Sequence, residues 1–372
     1  MPWHAASQGV MPALLSRRQW LLAGLAAPLG AMSAPSATVP LLGQTLPLQF
    51  PRDLGSHPDF STEWWYVTGR LQDTASARVL GFQITFFRSR VPSTQSLKSA
   101  FAAKQLLFAH ATVTDVAEQR LWHDQRVARE GFGLAQAKRT DTAVHLHDWS
   151  LVRTPEHYQT KVQGAGFDFE LSLRETQALL LQGQNGLSRK GPEPSQASCY
   201  YSLPQLQAKG QVTLAGQRRA VQGTAWLDHE WSHALLHPQA VGWDWIGMNL
   251  LDGSALTAFR LRTKAGSALW DGGSWRAPGG SVQVFPQGSV TFEPLRDWLS
   301  ALSQTRYPVE WRVRTPAGQY TVQAVLDAQE LDSRPSTGAI YWEGLSVLLD
   351  EQGHTVGHGY LEMTGYASPL RL

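Results

Sequence analysis

The chain has 372 residues, 42% of them hydrophobic, and a formal net charge of +2. That length suits two domains once a leader is set aside, and the near-neutral charge gives no electrostatic case for nucleic acid. One cysteine, Cys199, excludes an internal disulfide and a thiolate zinc cluster; the fifteen tryptophans suit a barrel core or an apolar ligand pocket.

In chain order, the first feature is Ser16-Arg17-Arg18-Gln19 followed by the apolar run Trp20–Ala27 and small residues around Ala31–Ala37. A charged start, a short apolar stretch and a small-residue exit make a secretion signal, and the adjacent arginines make it a twin-arginine one. The apolar stretch is shorter than the roughly 20 residues a membrane span needs. We therefore expect residues 1–37 to be a leader addressed to the periplasm, with no transmembrane segment beyond it.

From there the pattern predicts strand after strand. Leu80, Phe82, Ile84 and Phe86 alternate, as do Phe167, Phe169, Leu171 and Leu173, at the period of half-buried strands. Asp252-Gly253, Pro316-Ala317-Gly318 and Gln352-Gly353 each separate two apolar runs and read as hairpin turns. Asn185–Pro194 reads as a loop, and Pro294–Leu302 as the one short helix. The run beginning Trp64-Trp65-Tyr66-Val67 aligns without gaps on Trp243-Asp244-Trp245-Ile246, each leading toward an Asp, Asp73 or Asp252. This repeat favours two similar domains. We expect an all-β chain of two tandem antiparallel barrels, residues 38–235 and 236–372.

Three places could carry chemistry. Glu63 stands against Trp64 and Trp65, where an apolar setting would raise its pKa and suit it to general acid work; a carboxylate hydrogen-bonded at the start of a strand is the plainer reading. Asp228-His229-Glu230-Trp231 is the densest titratable run. On a regular strand Asp228 and Glu230 share one face and His229 takes the other, so joint action would need a bulge; a salt-bridged corner between domains is the alternative. His110, Asp244, Glu343 and Glu362 are polar groups in aromatic strands, more often satisfied core residues than a site when taken singly. A pocket built from these segments would be lined by Trp64, Trp65, His110, Trp231, Trp243, Asp244 and Glu343, with no metal.

These segments, from Phe50–Pro58 and Glu63–Tyr66 through Asp228–Trp231 and Gly242–Trp245 to Tyr341–Gly344 and Gly359–Glu362, resemble the AttH/CrtC-like family of carotenoid 1,2-hydratases and predicted secreted hydrolases. The resemblance implies two lipocalin-like barrels and no required cofactor. It maps an Asp-His-x-Trp motif onto Asp228, His229 and Trp231. The Tyr-x-Asp pattern of the carotenoid hydratases is missing from the strand Leu256–Arg262, which points toward the AttH-like branch, typically exported and encoded beside an ABC exporter permease. Two functions follow as expectations. In one, Asp228 or Glu63 protonates a carbon–carbon double bond of an isoprenoid or lipid-like ligand, tryptophan faces stabilise the cation, and His229 orients or deprotonates water. In the other, the barrels carry a lipophilic cargo in the periplasm, with the permease as partner, and the charged cluster is structural.

Overall fold

The computed structural model describes residues 47–234 and 236–370. The expected leader, residues 1–37, lies outside the described residues. The first sheet runs through β1 (Thr62–Asp73), β2 (Val79–Arg90), β3 (Gln105–Asp115), β4 (Arg120–Arg129), β5 (Ala135–Ala137), β6 (Ala143–Leu146), β7 (Trp149–Arg153), β8 (Tyr158–Gln163) and β9 (Phe167–Arg174). Two short strands, β10 (Leu180–Leu181) and β11 (Leu187–Arg189), and the long β12 (Ala197–Leu214) and β13 (Gln217–Ser232) complete it. The second sheet comprises β14 (Gly242–Leu250), β15 (Ala255–Arg262), β16 (Ala268–Arg276), β17 (Gln283–Phe285), β18 (Thr291–Leu299), β19 (Arg306–Thr315), β20 (Gly318–Ala324), β21 (Glu330–Ser333), β22 (Ala339–Leu349) and β23 (Thr355–Met363). One turn of helix, α1 (Arg334–Thr337), precedes β22.

Pairing is antiparallel throughout both sheets, and β1 lies between β2 and β13 as β14 lies between β15 and β23. The two halves of the sequence repeat therefore open their sheets and occupy the same topological position. In the first sheet the strand order is β4-β3-β2-β1-β13-β12-β9-β8-β7-β6-β5, and it curls until β4 meets β6 and the β8–β9 hairpin, where Asp124 accepts the Ala165 amide. Inside it packs a core including Trp65, Phe82, Phe86, Trp149 and Phe169; a second core, with Ile246, Trp311 and Trp342, fills the second sheet. Among the described residues no helix is long and apolar enough to cross a membrane.

The three predicted turns stand at hairpins, with Gly253 and Gly353 at positive φ. Two expectations are corrected. Pro294–Leu302 is not a helix: Thr291–Leu299 is a strand, held by pairing with β19 through register shifts near Pro294, which accommodate the missing amide. The polar stretch 185–194 is not all loop, because Leu187–Arg189 pairs with β12.

Because each central strand has two buried faces, the outer faces of the curled sheets also pack. Tyr66, Trp226, Trp245, Phe259, Leu345 and Tyr360 form a third cluster drawn from both. Gly247 makes this possible, since a Cβ there would come within 2.4 Å of the Trp245 ring and 3.3 Å of Trp226. Gly247→Ala is expected to lower stability by about 1–3 kcal/mol, the usual cost of overpacking, measured as a shift in denaturant midpoint at unchanged slope.

Candidate functional site

Strand β13 is regular across residues 226–232, so its side chains alternate strictly between two buried environments. His229 and Trp231 turn into the first barrel. Asp228 and Glu230 turn outward, toward the second sheet.

On the inward face Glu63 is the hub. Its Oε1 accepts His57 Nδ1 at 2.8 Å and His229 Nε2 at 3.0 Å, and its Oε2 accepts Ser56 Oγ at 2.9 Å and Arg88 Nε at 2.7 Å. Arg88 spends its other nitrogens on Gln105 and on the carbonyls of His57 and Phe60. His57 stacks on Trp231, with centroids 3.7 Å apart, and His229 on Trp65 at 4.7 Å. Burial alone would push the Glu63 carboxyl up, but hydrogen bonds from His229 and His57 outweigh it and hold the group well below the usual carboxylate range. Burial pushes His229 down to about 4 despite Glu63. Its other ring nitrogen faces the Tyr201 hydroxyl at 3.0 Å. The donor atoms of His57, Glu63 and His229 lie within 4.8 Å of one another, the spread of a metal-ligand set. The Arg88 cation already neutralises this carboxylate, so the knot is complete as hydrogen bonds and an ion pair.

The outward face lines a cavity of about 300 Å³ between the two sheets. Its first wall is written in cross-strand rows. Tyr200, Glu230, Trp64, Phe87 and Phe108 follow one another across β12, β13, β1, β2 and β3; Ser202, Asp228, Tyr66, Thr85 and His110 form the next row. The facing wall carries Phe259, Trp245, Glu362 and Glu343 as successive partners on β15, β14, β23 and β22.

The carboxyls here behave oppositely to Glu63. Burial raises Asp228 to about 7, although Ser202 Oγ and Trp226 Nε1 donate to its Oδ1 at 2.5 and 2.7 Å. Burial, reinforced by Asp228 and Glu230, raises Glu362 to about 7, and burial plus the Glu362 charge holds Glu343 well above its ordinary value. Glu343 Oε1 and the Tyr66 hydroxyl are buried without a hydrogen-bond partner, and both residues line the cavity. His110 is pushed down to about 3 by burial and sits behind the rim, its ring nitrogens 2.7 Å from Tyr341 Oη and 2.8 Å from Ser336 Oγ.

The expected site therefore divides. Asp228, Trp64, Trp243 and Glu343 line the cavity, and His110 is linked to it through Ser336. The expected grouping of Asp228 with His229 and Glu63 is corrected: no bulge brings them together, and Glu63 and His229 bond to each other on the face opposite Asp228, although Glu63 and Arg88 also border the cavity. Trp65 and Trp231 stack on histidines there, away from the cavity. Asp244 is also corrected; it points into the second barrel, paired with Arg260 at 2.7 Å and Arg262 at 3.0 Å and accepting the Tyr366 hydroxyl. Sequence reasoning missed Arg88, although it continues the inward parity of Phe82, Ile84 and Phe86, and missed Tyr200 and Lys190, which no local pattern marks.

Glu63→Gln leaves Arg88 buried without a counter-charge and is expected to cost about 3 kcal/mol or more in unfolding free energy. The cavity acids predict a pH effect. Glu362 is raised from 4.5 to about 7, so the folded state keeps a proton that the unfolded chain releases, and stability falls as pH rises across that window. Glu362→Gln is expected to flatten the fall; melting temperatures at pH 5 and pH 8 that respond to pH as in the unsubstituted protein would contradict this.

Comparison with known proteins agrees with this architecture. The AttH-like family model matches residues 42–366. An AttH-type protein of Nitrosomonas europaea superposes with a TM-score of 0.81 at 45% identity, over 87% of this chain and 98% of that one. Kievitone hydratase from Nectria haematococca shares the fold, with a TM-score of 0.67 at 14% identity over 87% and 94% of the two chains. CghA does so at 0.51 and 13%, over 85% and 90%. No functionally curated protein matches the sequence. The pairing of an outward-facing carboxyl cavity with an inward ionised knot thus sits on a known two-sheet lipocalin-like fold, and the chain belongs to the AttH-like family.

Proposed function

We propose that this protein adds water across a carbon–carbon double bond of an apolar, isoprenoid-like ligand bound in the inter-sheet cavity. One observation carries the reading: an aromatic cavity holds carboxyl groups that burial makes reluctant to ionise, Glu343 raised well above its ordinary value beside Glu362, and Asp228 across from them, the latter two raised to about 7. A neutral carboxylic acid in a dry site is a proton donor.

The step balances without a cofactor. The Glu343 O–H bond breaks as the π electrons form a C–H bond at the less substituted alkene carbon. The cation left on the other carbon faces the indole rings of Trp64, Trp243 and Trp245, whose π faces attract it. A water oxygen bonds to that carbon, and its proton passes to the carboxylate left on the Glu343–Glu362 pair. Asp228 supports the water. His229 and Glu63 have no part in the step; they hold β13 and β1 in register so that Asp228 and Trp64 are aimed outward. The hydratase named among the structural neighbours supports the reaction class.

A carrier of lipophilic cargo is the second reading. The depth of the site favours it, since Glu343 is 3% and Tyr66 6% exposed and a bound ligand would be shielded from water. Export by the twin-arginine route to the periplasm and partnership with an ABC exporter permease belong to both readings. They rest on Ser16-Arg17-Arg18 and on the family resemblance.

The test is incubation of the purified protein with farnesol and geraniol in ¹⁸O-labelled water, followed by mass spectrometry. A product heavier by one labelled water is expected, formed at least about 100-fold more slowly by Glu343→Gln, with the rate falling as pH rises above about 7 as the acids ionise. Ligand bound but returned unchanged by the unsubstituted protein decides for the carrier.

A further inference from the structure

The aromatic rings and neutral acids leave one cation in the cavity wall unaccounted for. Lys190, just after β11, has a side chain only 8% exposed and lines the cavity. Its Nζ lies 3.1 Å from Glu230 Oε1, 4.2 Å from the centroid of Phe259 and 5.1 Å from that of Tyr200. An ammonium carries three N–H donors. Among the described residues Glu230 is the only acid paired with it, and Glu230 also accepts the Ser198 hydroxyl. Donors therefore remain beside the cavity, on a pair whose net charge is zero.

The position within the row matters. Lys190 stands at the Tyr200–Glu230 end, on β12 and β13, whereas Phe87 and Phe108 close the other end on β2 and β3. Four inter-strand steps separate the ends, about 19 Å. A second cavity of about 200 Å³ begins beyond Tyr200 and Phe259, bordered by Gln182, Ser188, Arg189 and Asp271, so polar groups gather on the Lys190 side. An anionic group there would meet the Glu230 carboxylate; a neutral oxygen would not.

We propose that Lys190 forms a head-group subsite for a neutral oxygen acceptor, a hydroxyl or carbonyl, at one end of a ligand whose unsaturated hydrocarbon body extends toward Phe87 and Phe108. This rests on the inter-sheet cavity being the ligand site. It makes the substrate an oxygenated isoprenoid-like molecule rather than a pure hydrocarbon or a fatty acid anion, and it gives the molecule one direction in the cavity.

Binding of farnesene, farnesol and farnesoic acid to the full chain at neutral pH, followed by tryptophan fluorescence, tests it. These probes share a fifteen-carbon body and differ at the head. Farnesol is expected to bind about tenfold tighter than farnesene, the value of one hydrogen bond to a charged donor, and tighter than farnesoic acid. Lys190→Met should bring farnesol to the level of farnesene and leave farnesene unchanged. If that variant fails to fold because Glu230 loses its partner, Lys190→Met/Glu230→Gln removes both charges and is read in the same way. Equal binding of farnesol and farnesene, or tightest binding of farnesoic acid, overturns the subsite and leaves the cavity reading standing. No binding of any of the three overturns both.

Discussion

Strand β13 has no solvent face over its last seven residues, and this constraint organises the rest. Alternation sends His229 and Trp231 into one barrel and Asp228 and Glu230 against the other. Each must then be satisfied by a different set of partners. The inward set is ionised and saturated, with Glu63 accepting from four side chains. On the outward side Glu230 is paired with Lys190, whereas burial raises Asp228, Glu343 and Glu362, and no cation lies close enough to Glu343 or Glu362 among the described residues to stabilise charge there. A single strand thus separates a buried ion-pair knot from a buried acid site, with only the backbone between them.

These two solutions to the cost of burying a carboxyl have different physical consequences. Pairing with Arg88 ties segments far apart in sequence, the loop at His57, β1, β2 and β13, and gives the barrel a specific register. Such a knot adds specificity more surely than it adds net stability, because desolvation offsets much of its Coulombic attraction. Protonation, by contrast, leaves a proton available for transfer. The Glu343–Glu362 pair is costly at alkaline pH, and the residues around it, Tyr66 with its unpartnered hydroxyl among them, do little to relieve that cost. Local frustration of this kind is common where a ligand completes the set of contacts.

Much of the architecture was legible beforehand. The period-two runs marked β2 and β9, the glycine-bearing turns marked three hairpins, and the repeat of Trp64–Asp73 at Trp243–Asp252 marked the opening strand of each sheet. The opposite orientation of Asp228 and His229 followed from strand geometry alone. What could not be read was which buried face met which partner. Glu63 looked like a raised acid because two tryptophans follow it, yet Arg88, His57 and His229 approach from three other segments and reverse the sign. Asp244 sits between two tryptophans that line the cavity, but the parity that aims them outward aims it inward to Arg260 and Arg262. The helix expected at Pro294–Leu302 yielded to pairing with β19, a long-range effect that overrides local propensity.

The cavity has one wall from each sheet, and this has an evolutionary consequence. Phe259, Trp245, Glu362 and Glu343 belong to strands whose inward residues pack a core separate from the one beneath Trp64 and Tyr66. Substitutions on that second wall can reshape what is recognised without touching the Glu63–Arg88 knot that keeps the first barrel in register. A lineage built on this plan can diversify its chemistry on one sheet while the other acts as an unchanging template, so that relatives sharing little sequence can keep the frame and differ in the molecules they accept.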